Sequence, residues 1–150
     1  MAAPAFAATT TTTFGVTANV VPTCTVSASP LNFGEALPST LAANIDAQGS
    51  VTAMCSNAAA YTVALSVGSG AGATFGSRKL TSGANALNYT LYLNAARTNI
   101  WGEGRTPVAP HFNGIGTGIA QILPVYGRVR SGQTVPVGSY SDLIVVTLTF

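Results

Sequence analysis

Runs of alternating apolar and polar residues recur along the chain. The first clear run extends from Thr13 to Val20, where every second residue is apolar and the residues between are small or polar. This two-residue period is typical of a strand with one buried face. Later runs of the same kind predict six more strands, near residues 18–28, 48–55, 61–67, 87–93, 121–130 and 142–150.

Two prolines and one irregular stretch modify this pattern. Pro22 and Pro124 lie inside two of the runs. Because proline has no N–H to donate to a ladder, Pro22 predicts an edge strand or a switch between sheets, and Pro124 predicts an edge or a bulge. The stretch from Asn94 to Gly118 has no clear period. It is expected to be irregular, either as a functional segment or simply as a long loop.

Six strands are one fewer than the seven of an immunoglobulin-like sandwich. The run from Asp142 to Phe150 is strongly apolar and carries no charge after Asp142, so little protects its edge from pairing. The opening run, in contrast, is a strand with no evident place in its own fold. We therefore predict an all-β, immunoglobulin-like sandwich that lacks one strand, and this mismatch suggests polymerisation.

Composition supports this fold class and argues against several functions. With 150 residues, of which 47% are hydrophobic and 7% charged, the chain suits one globular domain. Its 16 glycines and 8 prolines favour short strands separated by turns. The net charge of +2 comes from six basic residues scattered along the sequence, which argues against nucleic acid as a partner. No apolar run approaches the roughly 18 residues that a membrane span needs.

The cysteines and the N-terminus indicate in which cellular compartment the protein folds. Cys24 and Cys55 are compatible with one disulfide, worth roughly 3.5 to 4 kcal/mol in the chain-entropy model, and two free buried thiols are the alternative. Residues Met1–Ala8 resemble the end of a signal peptide, with a small-x-small pattern over Ala5–Ala7. We interpret residues 1–7 as a signal-peptide remnant or an artificial tail, and we infer export.

Candidate catalytic residues do not form a recognisable set, so we expect neither an enzyme nor a cofactor. His111 is the single histidine, and no partner for a metal site or a nucleophile is evident. The glycines of Gly114–Gly118 lack the following helix that a phosphate loop requires. The carboxylates lie in expected turns without a cleft, at Glu35, Asp46, Glu103 and Asp142.

Aromatic residues offer one further possibility. A sugar-binding patch could use stacked aromatic faces. Packing in the core and at the edges of the sandwich is the preferred interpretation for Trp101, Tyr92, Tyr126 and Tyr140.

A set of short segments, in order along residues 14–150, resembles the spore coat protein U domain family. The segments are Ala18–Val20, Cys24–Val26, Leu31–Gly34, Val51–Cys55, Tyr89–Tyr92, Ala96–Thr98, Trp101–Gly104, Leu123–Val129 and Gly138–Asp142. One departure is Glu103, where the family often has aspartate, and no functional expectation depends on it.

This resemblance implies a subunit of archaic chaperone-usher pili, which is a structural role. A neighbour's N-terminal strand would fill the groove of each subunit, after a periplasmic chaperone and an outer-membrane usher have handled it. The implied location is export through the periplasm to an extracellular fimbrium on the cell surface, supporting adhesion and biofilm formation. The alternative is a secreted, non-polymeric coat or carbohydrate-binding module whose N-terminal segment folds back onto its own sheet.

The resemblance also implies roles for individual residues. It implies a disulfide between Cys24 and Cys55. It implies a donor strand in residues 8–17, followed by a pilin domain in residues 18–150. The donor side chains carry over to Phe14, Val16 and Ala18. The edge of the acceptor groove is expected at Leu143, Ile144, Val145, Val146, Leu148 and Phe150.

Overall fold

Eight β-strands in two antiparallel sheets form the fold. The structure is a computed structural model that describes residues 1–150. In chain order the strands are β1 (Cys24–Ser29), β2 (Ile45–Cys55), β3 (Ala60–Leu65), β4 (Arg78–Ser82), β5 (Asn85–Tyr92), β6 (Phe112–Ile115), β7 (Ala120–Val129) and β8 (Val146–Thr149). None of its elements is a helix long and apolar enough to cross a lipid bilayer.

The order of the strands is that of an immunoglobulin-like sandwich. One sheet has five strands in the order β1-β2-β7-β5-β4, and the other has three in the order β6-β3-β8. Strands β1, β2, β7 and β5 therefore take the places of the A, B, E and D strands, and β3 and β8 take those of C and F. The fold class predicted from the sequence is confirmed.

Two short strands add to the six that the alternating runs predicted. Strand β4 pairs with β5 through the two-residue turn Gly83–Ala84, where Gly83 has a φ of 58°. Such a turn favours glycine, because a positive φ strains other residues. Strand β6 falls inside the stretch from Asn94 to Gly118 that was expected to be irregular. It has only four residues, too few to show a period.

The predicted boundaries of the first and last strands were wrong. The first strand was expected over residues 18–28, but β1 begins at Cys24. The last was expected over residues 142–150, but the regular strand β8 spans only Val146–Thr149. In both places the alternation continues beyond the region where a neighbouring strand is available, and a ladder needs a partner as well as a suitable sequence.

The two prolines differ in their outcome. Strand β1, which follows Pro22, is an edge strand as expected. Strand β7, which contains Pro124, lies in the centre of the five-stranded sheet, so the edge prediction was wrong for it. However, β5 pairs with β7 only from Tyr126 onward, so at Pro124 that side of β7 has no ladder. The missing N–H of proline is tolerated there.

The core lies between the two sheets and is built from inward-facing positions. Val51, Ala53 and Cys55 of β2 are buried, as are alternate residues of β3. Trp101 is also buried, and its Nε1 donates a hydrogen bond to the backbone oxygen of Val63 at 2.9 Å. Because its N–H is hydrogen-bonded, the indole can be buried in the core without the cost of an unpaired polar group.

One charged residue, Arg78, is fully buried between the sheets. Its guanidinium donates to the backbone oxygens of Ser66 at 2.9 Å, Trp101 at 2.6 Å and Phe75 at 3.2 Å. Burial lowers the pKa of Arg78 to about 10, so the side chain stays charged at neutral pH. It links the end of β3 to two loops that have few ladder bonds of their own.

We expect Arg78→Met to lower the free energy of unfolding by about 2 to 4 kcal/mol, because several buried carbonyls would lose their donors together. Urea denaturation measures the change. The neighbouring substitution Lys79→Met, which removes an outward-facing charge, is the control and should cost about 0.5 kcal/mol or less. Equal losses in the two variants would contradict this role.

The disulfide Cys24–Cys55 joins β1 to β2 at residues that lie directly opposite each other. Replacing both cysteines by alanine should lower the free energy of unfolding by about 3.5 to 4 kcal/mol, since the bond closes a long loop in the unfolded chain. Urea denaturation with and without a reductant checks this. The reductant should destabilise the natural chain and leave the double variant unchanged.

Candidate functional site: an open groove between the first and last strands

An apolar groove of about 370 Å³ lies between the two sheets, along β1 and β8. Each of these strands is an edge: β1 pairs only with β2, and β8 pairs only with β3. In a complete immunoglobulin-like sandwich, the seventh strand lies beside the strand that β8 represents. The groove therefore occupies the place of that strand.

The floor of the groove is mostly apolar and includes a pair of packed aromatic rings. The rings of Phe33 and Tyr89 meet edge to face, with centroids 5.7 Å apart. Leu31 and Phe33 lie against the sheet at Gly127, where a Cβ atom would come within 2.9 Å of both side chains. Further apolar lining comes from both sheets and from the segment before β8, at Ala28, Val51, Leu65, Leu80, Leu91, Val125, Leu143, Ile144 and Val146.

The wall that leads into β8 has only isolated backbone bonds, at Ser141 and Val145, and side chains add to them. The Asp142 carboxylate accepts hydrogen bonds from the Tyr89 hydroxyl at 2.6 Å and from the backbone N–H and hydroxyl of Ser69 at 2.7 and 2.8 Å. Next to it, the N–H of Val145 donates to the Ser66 hydroxyl at 2.9 Å. These bonds fix the backbone between Asp142 and β8 beside the groove.

The Tyr89 hydroxyl and the Asp142 carboxylate form a polar end of the groove. Burial, and then the hydrogen bond to Asp142, raise the pKa of Tyr89 far above its usual range. The phenol stays neutral and donates to the carboxylate. The Asp142 carboxylate is hydrogen-bonded to Tyr89 and Ser69. We therefore interpret this end of the groove as a structural contact.

Comparison with known proteins places this fold in a family. The model of the Spore Coat Protein U domain matches residues 10–147. The chain belongs to the spore coat protein U domain family. Protein U of Myxococcus xanthus is 33% identical to it over 161 aligned positions, which cover 98% of this chain and 88% of that protein.

A solved structure is similar to this spore coat U domain over 87% of the chain, with a TM-score of 0.62 and 25% sequence identity. It is the crystal structure of the CsuC-CsuE chaperone-tip adhesion subunit pre-assembly complex from archaic chaperone-usher Csu pili of Acinetobacter baumannii. The similarity covers 40% of the length of the matched chain in that complex.

The expected donor residues all lie outside the sheets of this spore coat U domain. Phe14 and Val16 are 85% and 82% exposed, and Ala18 is also exposed. Val20, which was left at the boundary with the first strand, is 92% exposed and precedes β1. The apolar alternation thus continues in the exposed segment up to Val20.

The expected groove edge divides into two faces. Leu143, Ile144 and Val146 line the groove, and Leu148 is half-buried against the core. Val145 and Phe150 are exposed and do not line it. Alternation along a strand accounts for Val145, which points away from the core. Sequence reasoning missed Phe33 and Leu31, although their i, i+2 spacing after Pro30 was a usable signal.

The carboxylates considered for catalysis have separate partners and do not form a pair. Asp46 accepts two hydrogen bonds from Arg128 on the outer face of the five-stranded sheet, whereas Glu103 lies 3.3 Å from Arg105 in a loop. The His111 ring contacts the Asn113 side chain and the backbone oxygen of Glu103. No three histidine, cysteine or acidic residues lie together as a metal site would require. Trp101 and Tyr92 are buried, and Tyr126 and Tyr140 are half-buried, so packing accounts for these aromatic residues.

The raised pKa of Tyr89 predicts a loss of stability in alkali. Below the ordinary value of 10.0 the phenol is neutral in both states. Above it the unfolded chain releases the proton and the folded chain does not, so stability falls as pH rises. Tyr89→Phe should cost about 1 kcal/mol at neutral pH and lose less stability in alkali than the natural chain. Urea midpoints measured across this range would contradict the assignment if both chains lost the same amount.

Proposed function

We propose that this protein is a structural subunit of an extracellular pilus and that it polymerises by donor-strand complementation. The N-terminal segment of one copy inserts into the groove between β1 and β8 of the next copy. One observation carries the proposal: the same chain has an open apolar groove in the place of a seventh strand and an exposed alternating segment that suits such a place. Head-to-tail insertion does not close on itself and therefore produces a filament.

The family and the fold support a pilus subunit and point away from an enzyme. The similar solved structure contains a chaperone and a tip adhesion subunit from chaperone-usher pili. By analogy, a periplasmic chaperone would hold this subunit during export and an outer-membrane usher would assemble it. The resulting fimbrium on the cell surface would support adhesion and biofilm formation.

The donor segment has the side chains that the groove needs. Burying Phe14 and Val16 should contribute about 1.5 to 3 kcal/mol each, with less for Ala18. Ladder bonds to the free edge of β8 add about 0.5 to 1.5 kcal/mol each. Because β1 begins at Cys24, we extend the proposed donor to Val20, which gives a fourth apolar side chain on the same face. Alternate side chains in pockets and main-chain bonds at the edge are the usual basis of strand addition.

A non-polymeric coat or carbohydrate-binding module is the second candidate. The volume of the groove lies within the range of small-molecule sites. Its lining is mostly apolar, however, and its one carboxylate, Asp142, already has partners within the chain. A sugar would find few groups to bond in the groove, whereas an apolar strand would find many.

The first experiment compares two exposed phenylalanines of the N-terminal segment. Phe14→Asp should abolish or strongly reduce filament formation, because a charge would have to enter an apolar groove. Phe6→Asp is the matched control, since Phe6 is 90% exposed and lies outside the proposed donor. Electron microscopy and light scattering measure the polymer. Equal filament formation by both variants would contradict the proposal.

A mixing experiment then separates donor from acceptor. Ile144→Asp places a charge in the groove wall and should also prevent polymerisation, with Val137→Asp as an exposed control. Mixed together, Phe14→Asp supplies an intact groove and Ile144→Asp an intact donor. The mixture should form a one-to-one dimer and nothing longer. Failure to form this dimer when both variants are folded by circular dichroism would contradict donor-strand exchange.

A further inference from the structure

The outer face of the five-stranded sheet collects basic residues from distant parts of the sequence. Residues directly opposite each other in an antiparallel pair share a face. Lys79 of β4 lies opposite Asn88 of β5, and Arg128 of β7 lies opposite both Thr90 and Asp46. Their neighbours Arg78 and Tyr89 are buried between the sheets, so this second set lies on the opposite face. There Asn88 is exposed and Lys79 and Arg128 are half-buried, while Thr90 is covered where it bonds to Gly76. Arg130 directly follows the end of β7 and borders the same depression as Asn88 and Thr90.

This face has a strong excess of positive charge for a chain with few charges. Lys79, Arg128 and Arg130 lie on it, and Arg97 joins them by stacking 5.6 Å over the ring of Tyr126. These are four of the six basic residues of the chain, whereas Asp46 is the acidic residue among them. Scattered positions in the sequence thus become one cationic surface in the fold.

Most cations on this face are engaged by other groups of the chain. Arg128 makes two hydrogen bonds with Asp46, at 2.7 and 2.8 Å, and Arg97 lies 3.5 Å from the same carboxylate. The Lys79 ammonium donates to the backbone oxygen of Ala71 at 2.9 Å. The guanidinium of Arg130 has neither a hydrogen bond nor an ion pair within the chain. It is therefore free to bind an external anion.

Arg130 lines a small polar depression of about 250 Å³ on this face. Its base is rigid, because the Gln133 side chain donates to the backbone oxygen of Asn88 at 2.9 Å and accepts from the Asn88 N–H at 2.8 Å. The Thr90 hydroxyl donates a hydrogen bond to the backbone oxygen of Gly76 at 2.9 Å. The side chains of Asn88 and Ser77 also line the depression and make no hydrogen bond within the chain.

We propose that this depression binds a uronic acid residue of an acidic polysaccharide. A guanidinium matches a carboxylate with two parallel hydrogen bonds, and Arg130 is the free guanidinium. Asn88 and Ser77 supply an amide and a hydroxyl for the hydroxyl groups of a sugar ring. Lys79 and Arg128 add attraction for further carboxylates along the polymer.

The same features disfavour nucleic acid as the ligand. Binding of a single strand normally combines basic residues with exposed aromatic rings on which bases stack. Here Tyr92 is buried and the ring of Tyr126 faces Arg97. The face offers one free guanidinium and neutral polar groups, which suit one carboxylate and a sugar ring better than a phosphate backbone.

This site is independent of the groove proposed for polymerisation. The groove is lined by inward-facing side chains such as Leu80 and Leu91, whereas the depression is lined by Asn88 and Thr90 of β5 and by residues outside the strands. Tyr89 is the one residue that borders both. A strand inserted between β1 and β8 would leave the outer face of β4 and β5 uncovered. Each copy in a filament would then present one polysaccharide site, and the site would also be present in a monomer.

The test uses the full chain and polygalacturonate oligomers, with neutral galactan oligomers of matched length as the comparison. Calorimetry at low ionic strength and at about 0.15 M salt should detect binding of the acidic oligomers only, weakened by salt. Arg130→Gln should lower the affinity roughly tenfold, as expected for the loss of a charged hydrogen-bonded pair. Asn88→Ala should lower it as well.

The control for charge is Arg105→Gln, which removes one positive charge from a loop residue paired with Glu103. It should leave the affinity for polygalacturonate within about twofold of the natural chain. Equal loss in Arg105→Gln and Arg130→Gln, or no binding of polygalacturonate, would overturn the proposal. Tighter binding of single-stranded DNA with the same dependence on Arg130 would overturn it in favour of a nucleic acid surface.

Discussion

The free edge of β8 is the constraint on which the account of this protein depends. One side of β8 is paired with β3, and the other side borders an apolar groove without a strand. Backbone N–H and C=O groups at such an edge are ready to pair with another chain. Natural sheets usually protect an edge of this kind with charges, prolines or a covering loop. In this chain the residues after Asp142 carry no charge and no proline. This supports our proposal that the edge accepts a partner strand.

The walls of the groove are held in place by bonds within the chain. On one side the disulfide ties the start of β1 to β2. On the other, Asp142 holds the approach to β8 through Tyr89 and Ser69. The absence of a side chain at Gly127 lets Leu31 and Phe33 lie close to the sheet and shape the floor. A groove that is already shaped loses little entropy when a strand enters, so more of the contact energy remains for binding.

The alternation of apolar and polar residues was enough to predict the fold class and those strands that have a paired strand on each side or a buried face. Strands β2, β3, β5 and β7 carry regular apolar positions, and each was found near its expected place. Strand β4 was missed because one of its inward positions holds Arg78, a charged residue whose burial depends on hydrogen bonds to the surrounding carbonyls. Residues 18–23 were wrongly assigned to the first strand. An alternating sequence favours the extended conformation, but a strand also needs a neighbouring strand with which to form hydrogen bonds.

The site was predicted less completely than the fold. The apolar edge near Ile144 and Val146 follows from the last alternating run, but the contribution of Phe33 depends on a loop folding back over Gly127. The bond between Tyr89 and Asp142 joins residues that are distant in the sequence. The cationic outer face has the same origin, since only the register of β4, β5 and β7 brings Lys79, Arg128 and Arg130 together.

A cryo-electron microscopy map of the assembled filament tests the central claim most directly. The account predicts that residues 14–20 of each copy form a strand about 4.8 Å from β8 of the next copy, with the Phe14 ring inside the apolar groove. A map in which this segment lies on its own domain, or in which the groove is filled by some other segment, would contradict it.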